Sequence, residues 1–220
     1  MPRPRHAAGD RKAMTRAERD AFFKAAESEP QVVYVFLRML YETASRVTEG
    51  LHLRWGAVDL KARVIRVTRI KGSETIVTDI GDRLVGLLSE LGPGKPDDLV
   101  FPGRHSCQER IKGTKRPRIK PPTWETCPGN HMSRFRVWDW CARVGARIGV
   151  EVALRHPHTL KHTRCCDEAR QHKDHGVHAM IAAVKRLTGH KSADSLLVYV
   201  DEPEMIVEAT ERRRAELDKF

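Results

Sequence analysis

Thr43-Ala44-Ser45-Arg46-Val47-Thr48-Glu49-Gly50-Leu51-His52-Leu53-Arg54-Trp55 is the stretch on which the fold turns, because the chain changes period directly after it. Upstream everything reads as helix. Thr15 with Glu18 three residues on forms a capping-box signature for a helix through about Ala26, and Pro30 separates it from the next. Val32, Val33, Val35, Phe36, Met39 and Leu40 then predict a strongly apolar helix through about Thr43, followed by a short one from about Thr48 to Arg54. Downstream, Val58-Asp59-Leu60 leads into the β-branched run Val64-Ile65-Arg66-Val67-Thr68, and Ile76-Val77-Thr78-Asp79-Ile80 has the same character. Lys71-Gly72-Ser73 lies between them, so a hairpin or three-strand meander is expected. Helical spacing then returns over Asp82–Leu91, over Ser133–Ile148, from Pro157 through about Gln171, over Met180–Leu187 up to Gly189, and over a short segment from about Ser192 to Val198. The fold class expected is mainly α with a small antiparallel β-sheet (α+β), without internal repeats.

Charge narrows the partner. The 220 residues carry 40 Lys+Arg against 29 Asp+Glu, a formal +11, with a pI near 9.7, which points to a polyanion. At 40% hydrophobic residues the chain can bury a core. The longest uninterrupted apolar run, Val32 to Leu37, is far short of the ~18 residues a membrane span needs, and no signal-type apolar segment follows Met1. Five cysteines, an odd count with Cys165 and Cys166 adjacent, suit reduced thiols in a cytoplasmic protein. The excess charge is concentrated. Residues 1–14 read as a basic flexible leader, and residues 104–130 as a basic insert whose seven bases, Arg104, Arg110, Lys112, Lys115, Arg116, Arg118 and Lys120, face one acid, Glu109, before Lys120. Residues 201–220 reverse the sign, with seven acids against four bases, and read as an acidic helical tail. The segment between, 15–200, is the expected functional domain.

Seven residues have the chemistry for attack on a phosphodiester. Cleaving that bond requires cations that neutralise charge growing on the non-bridging oxygens. Arg46 is permanently charged and bidentate toward phosphate. In His156-Pro157-His158-Thr159-Leu160-Lys161-His162-Thr163, residues His158, Lys161 and His162 share one helical face near an anion-favouring helix N-terminus. In Leu187-Thr188-Gly189-His190-Lys191-Ser192, His190 follows a helix-ending glycine, and Tyr199 comes nine residues later. A phenol can attack phosphorus to form a covalent phosphotyrosyl bond. Lys71, at a turn between strands, has the reach to protonate a departing oxygen.

These three motifs, in this order, resemble the catalytic domain of the tyrosine recombinases, the phage-integrase family, over roughly Met14 to Val200. The resemblance implies Tyr199 as nucleophile, Arg46 and His190 on the scissile phosphate, Lys71 as general acid, His158 as general base and Glu49 as support for Arg46. Lys161 departs from the family's His-x-x-Arg and keeps charge while losing the bidentate fork. The implied activity is site-specific cleavage and rejoining of double-stranded DNA through a 3′-phosphotyrosine, in a tetramer on paired sites, with the acidic tail docked on a neighbouring protomer. A DNA-binding remnant without turnover and a type I-B topoisomerase-like strand relaxer are the alternatives. The family's helical core-binding domain has no counterpart in the 14 residues before Thr15. No cofactor is expected, since no nucleotide-binding loop is present. No metal is expected either: His172, His175 and His178, or His105, Cys107, Cys127 and His131, lack a paired Cys-x-x-Cys. Trp55 and Trp138 are expected in the core.

Overall fold

The computed structural model describes residues 11–69, 74–104, 126–189 and 194–199. Helix α1 (Arg16–Ala26) opens on the capping box: the Thr15 hydroxyl accepts from the Glu18 backbone N–H and the Glu18 carboxylate accepts from that of Thr15. Pro30 then caps α2 (Gln31–Glu42), which buries Val33, Tyr34, Val35, Phe36, Leu37, Met39 and Leu40. A helix apolar on nearly every side has to be surrounded. Accordingly α1, the short α3 (Val47–Leu51), α4 (Asp82–Leu91) and α6 (Pro157–Gln171) all pack against α2. Gly50 allows α3 to lie close against α2, since a Cβ there would stand 2.8 Å from Met39 Cε and 2.9 Å from Leu40 Cδ2.

Between α3 and α4 lies the expected meander. Strands β1 (Val58–Asp59), β2 (Val64–Thr68) and β3 (Thr75–Asp79) pair antiparallel in the order β1-β2-β3, with Val58 opposite Ile65 and Val67 opposite Ile76. The alternation turns Ile65, Val67, Ile76 and Thr78 inward, and Arg66 and Val77 outward. A second, two-stranded sheet of β4 (Pro102–Arg104) and β5 (Thr126–His131) was not expected from sequence. Both ends of the segment read as a loose insert are therefore paired, and Phe101, just before β4, is fully buried edge-on against Phe36 at 4.8 Å.

Helix α5 (Arg134–Arg147) turns Val137, Cys141 and Val144 into the core. Trp138 corrects the sequence expectation. It is 45% exposed and stacks on the His156 imidazole at 5.5 Å, at the edge of that buried row rather than within it; Trp55 is buried as expected. Helices α6 and α7 (Val177–Thr188) pack together over a second cluster of Ala44, Cys165, Cys166, Ala169, Met180, Val184, Leu187, Leu196 and Tyr199. Ala13 joins this cluster, Met14 is buried, and the Met14 N–H donates to Thr163 Oγ1 at 3.0 Å. The folded unit thus begins ahead of Thr15. The last described element, Asp194–Tyr199, is a 3₁₀ run where a short α-helix was expected. The acidic tail lies outside the described residues.

Candidate active site

Arg46 is placed by a tight reversal. The chain leaves α2 through Ala44 at φ +46°, a left-handed conformation that costs a non-glycine residue roughly 1–2 kcal/mol. Thr43 Oγ1 donates to Met39 O at 2.7 Å and lies 2.6 Å from Ser45 Oγ, bracing the turn. Arg46 then occupies the N-cap of α3, where Glu49 accepts from its backbone N–H at 2.8 Å and from its Nη1 at 3.0 Å. The Glu49 carboxylate is fully buried, whereas the Arg46 side chain keeps 33% of its surface open. Burial acts to raise the Glu49 pKa, but the Arg46 N–H and the Arg69 guanidinium outweigh it and hold the carboxylate below its ordinary range. Arg46 therefore has its orientation fixed from below and donors free of Glu49 above.

Arg69 had no assigned part in the sequence reading, and the structure makes it the hub of this side of the site. It is 3% exposed; Nη1 donates to Glu49 Oε2 at 2.7 Å and Nη2 to Leu187 O at 2.8 Å, with longer contacts to Ser45 Oγ and Thr43 O. One signal for it was present. Extending the alternation of β2 by two residues turns position 69 inward, and an inward arginine needs a carboxylate partner.

Helix α6 supplies the other wall. Pro157 at its first turn starts it, and His158, Lys161 and His162 follow on one face. His158 is exposed, its ring 6.2 Å from that of His156. Lys161 is 6% exposed, and burial, followed by the charge of Arg46, pushes its ammonium down to about 8. Burial, with the neighbouring charges of His158 and Lys12, pushes His162 down to about 4, so its imidazole is neutral at pH 7; its Nδ1 is buried without a partner among the described residues.

Tyr199 lies 5.5 Å from the His162 ring, tilted by 40°, and is 5% exposed. Its phenol belongs to the same buried cluster as Cys165, one turn beyond Lys161, and burial drives its pKa well above the ordinary phenol value, with Arg46 acting weakly the other way. The Cys165 thiol is itself pushed up to about 12 by burial, so it is neutral. The structure thus brings together Arg46, Lys161, His162 and Tyr199, with Glu49 and Arg69 beneath and His158 at the rim. Lys71 and His190 lie outside the described residues, flanked by Glu74 and by Gly189, which ends α7 as read from the sequence and does so in the left-handed conformation, at φ +67°. Among the basic insert residues, Arg104 ends β4, and Arg110, Lys112, Lys115, Arg116, Arg118 and Lys120 lie outside.

The arrangement concentrates positive charge and sets a phenol beside it, which is chemistry for phosphoryl transfer. No group of three or more His, Cys, Asp or Glu side chains suited to a metal ion occurs among the described residues; the rings of His172 and His175 stand 6.2 Å apart. No described helix is long and apolar enough to cross a membrane.

Comparison with known proteins agrees with this geometry. Tyrosine recombinase XerD of Pseudomonas putida is 26% identical over 199 residues, covering 86% of this chain and 56% of that protein, so the chain spans little more than half of its relative's length. The crystal structure of XerA recombinase superposes with a TM-score of 0.67 at 18% identity, covering 97% of this chain and 67% of that one. The Tn1549 transposon integrase in complex with transposon right end DNA gives 0.61 at 15% identity, covering 94% and 68%. The two structures establish a shared helix-rich fold, that of the tyrosine recombinase catalytic domain. The sequence profile of the phage integrase family matches residues 12–204, and the chain belongs to that family.

Proposed function

We propose that the chain cleaves and rejoins double-stranded DNA at specific sites through a 3′-phosphotyrosyl intermediate. The observation that carries this is the placement of Tyr199 on the face of α6 that bears Lys161 and His162, next to Arg46. The Tyr199 oxygen attacks the scissile phosphorus and forms the new P–O bond, and its proton passes to His158. The bond to the 5′-oxygen breaks, with Lys71 supplying the proton that oxygen takes up. Arg46, Lys161 and His190 balance the charge on the non-bridging oxygens meanwhile. Attack by the freed 5′-hydroxyl on the phosphotyrosine reverses these transfers, so no external energy source is consumed.

At 5% exposure, in the buried cluster with Cys165, Tyr199 has to move outward before it can reach a phosphate. Binding of DNA supplies a reason to move, because it brings negative charge to Arg46 and Lys161. The basic residues from Arg104 to Lys120 grip backbone phosphates, and the acidic tail docks on a neighbouring protomer of a tetramer. Work on chromosomal or mobile-element DNA places the protein in the cytoplasm, at the nucleoid. The test is a nicked duplex that traps the intermediate. Wild type accumulates a protein–DNA adduct resistant to denaturant, and Tyr199→Phe forms none. Absence of the adduct from wild type, or its persistence in Tyr199→Phe, would contradict the proposal.

A further inference from the structure

We propose that Arg69 is a positioning residue for DNA cleavage: it ties Glu49, beneath Arg46, to the last turn of α7, so that Arg46 and the chain leading to His190 share one register. This rests on the function proposed above.

Arg69 is too deep to touch a substrate, so its influence runs through its partners. Its two shortest bonds go to different catalytic motifs. One is to Glu49 Oε2 at 2.7 Å, on the carboxylate whose other oxygen holds Arg46 Nη1 at 3.0 Å. The other is to Leu187 O at 2.8 Å, three residues before His190. Leu187 O belongs to the final turn of α7, where carbonyls have no intrahelical donor, so Arg69 fixes the end of that helix by satisfying a group that would otherwise be left unbonded. Arg69 also stands two residues from Lys71, at the end of β2. One planar guanidinium thus joins α3, which Arg46 caps, to the last turn of α7.

Packing alone does not account for it. A buried cation carries a desolvation cost that an apolar residue of the same volume avoids, and the Arg69 Nε–H has no partner among the described residues. Two rigidly spaced donors, aimed at a carboxylate and at a carbonyl, are what a guanidinium provides and an ammonium does not. Arg69 also acts on the neighbouring lysine: the groups acting on Lys161 are Arg46 and Arg69, which lower its pKa, and Cys165 and Glu49, which raise it.

The test is single-turnover adduct formation on the nicked duplex by wild type, Arg69→Lys and Arg69→Gln, with DNA affinity and the pH–rate profile measured alongside. Arg69→Gln is expected to lose about 100-fold in cleavage rate at saturating DNA, the scale of a misplaced catalytic group, with affinity changed by less than about 3-fold. Its alkaline limb moves to higher pH as Lys161 loses a repelling neighbour. Arg69→Lys, which reaches one partner at a time, is expected to fold, to keep the wild-type limb and to recover part of the rate. A wild-type rate in either variant, a loss of affinity equal to the loss of rate, an unmoved limb in Arg69→Gln, or failure of both variants to fold would overturn the proposal. A wild type that forms no adduct would remove the function on which it rests, a result distinct from all of these.

Discussion

Replacing Lys161 by methionine should stabilise the free protein while abolishing cleavage. The ammonium is 6% exposed and its pKa is pushed down to about 8. Against an ordinary lysine value near about 10.4, holding it charged at neutral pH costs the folded state about 3 kcal/mol. Methionine has a similar volume and no charge to desolvate, so Lys161→Met is expected to gain about 2 kcal/mol at pH 7, the remainder going to imperfect packing. The pH dependence has a definite sign. Between about pH 8 and about pH 10.4 the unfolded chain holds the lysine proton and the folded chain has released it, so this group's contribution to stability rises with pH across that window. The buried thiols act oppositely. Cys165 and Cys141 are held protonated in the fold and ionise in the unfolded chain, so they lower stability over part of the same range. The difference between wild type and Lys161→Met isolates the lysine. Urea unfolding followed by tryptophan fluorescence, at pH 7 and again at pH 10, should show an advantage for methionine that shrinks at the higher pH. A variant less stable than wild type by more than about 1 kcal/mol at pH 7, or a difference independent of pH, would refute the reasoning.

Three further outcomes follow from the geometry. Glu49→Gln leaves the guanidinium groups of Arg46 and Arg69 sharing a neutral partner, and should cost about 3 kcal/mol in the same unfolding measurement; a loss under about 1 kcal/mol would mean the carboxylate is not needed to hold them. Gly189→Ala puts a side chain on a φ of +67° with its Cβ 2.9 Å from Ile76 Cδ1, and should lower stability by about 1–2 kcal/mol; an unchanged midpoint would contradict the left-handed cap. Cys165→Ala removes the side chain that buries the Tyr199 phenol alongside it, so the rate of adduct formation should rise by up to about 5-fold, and a fall would show that the thiol does not hold the phenol back.

The parts of this fold that sequence reveals are those with a local physical cause. Thr15 and Glu18 specify a capping box wherever they are placed, the β-branched runs on either side of Lys71 pair because nothing else suits them, and Gly189 ends α7 because it tolerates the left-handed region. The limits of α4, Asp82–Leu91, follow in the same way from its periodicity and the Gly92-Pro93-Gly94 stop. What escaped depends on distant chain. Strands β4 and β5 are short, and their partners are separated by the basic segment, so neither has an alternating pattern long enough to see. Trp138 has helical spacing that fits a core row, yet it faces outward because His156, from the segment before α6, offers a ring to stack on. In the site, Arg46, Lys161 and Tyr199 were legible as motifs. Arg69 was not, since its meaning comes from Glu49 and from a backbone carbonyl 118 residues away. Nor does any local pattern show that the Tyr199 phenol is buried in one cluster with Cys165, which is a matter of packing between α6 and the 3₁₀ run.

The proposed reaction requires Tyr199 to become covalently joined to DNA. Trapping wild-type protein on a nicked duplex, digesting both components and sequencing the modified peptide by mass spectrometry tests this directly. The expected result is one peptide, containing Tyr199, that carries a 3′-linked nucleotide through its phenolic oxygen. A nucleotide on Tyr34 or Tyr41, on a serine, or on no residue would contradict it.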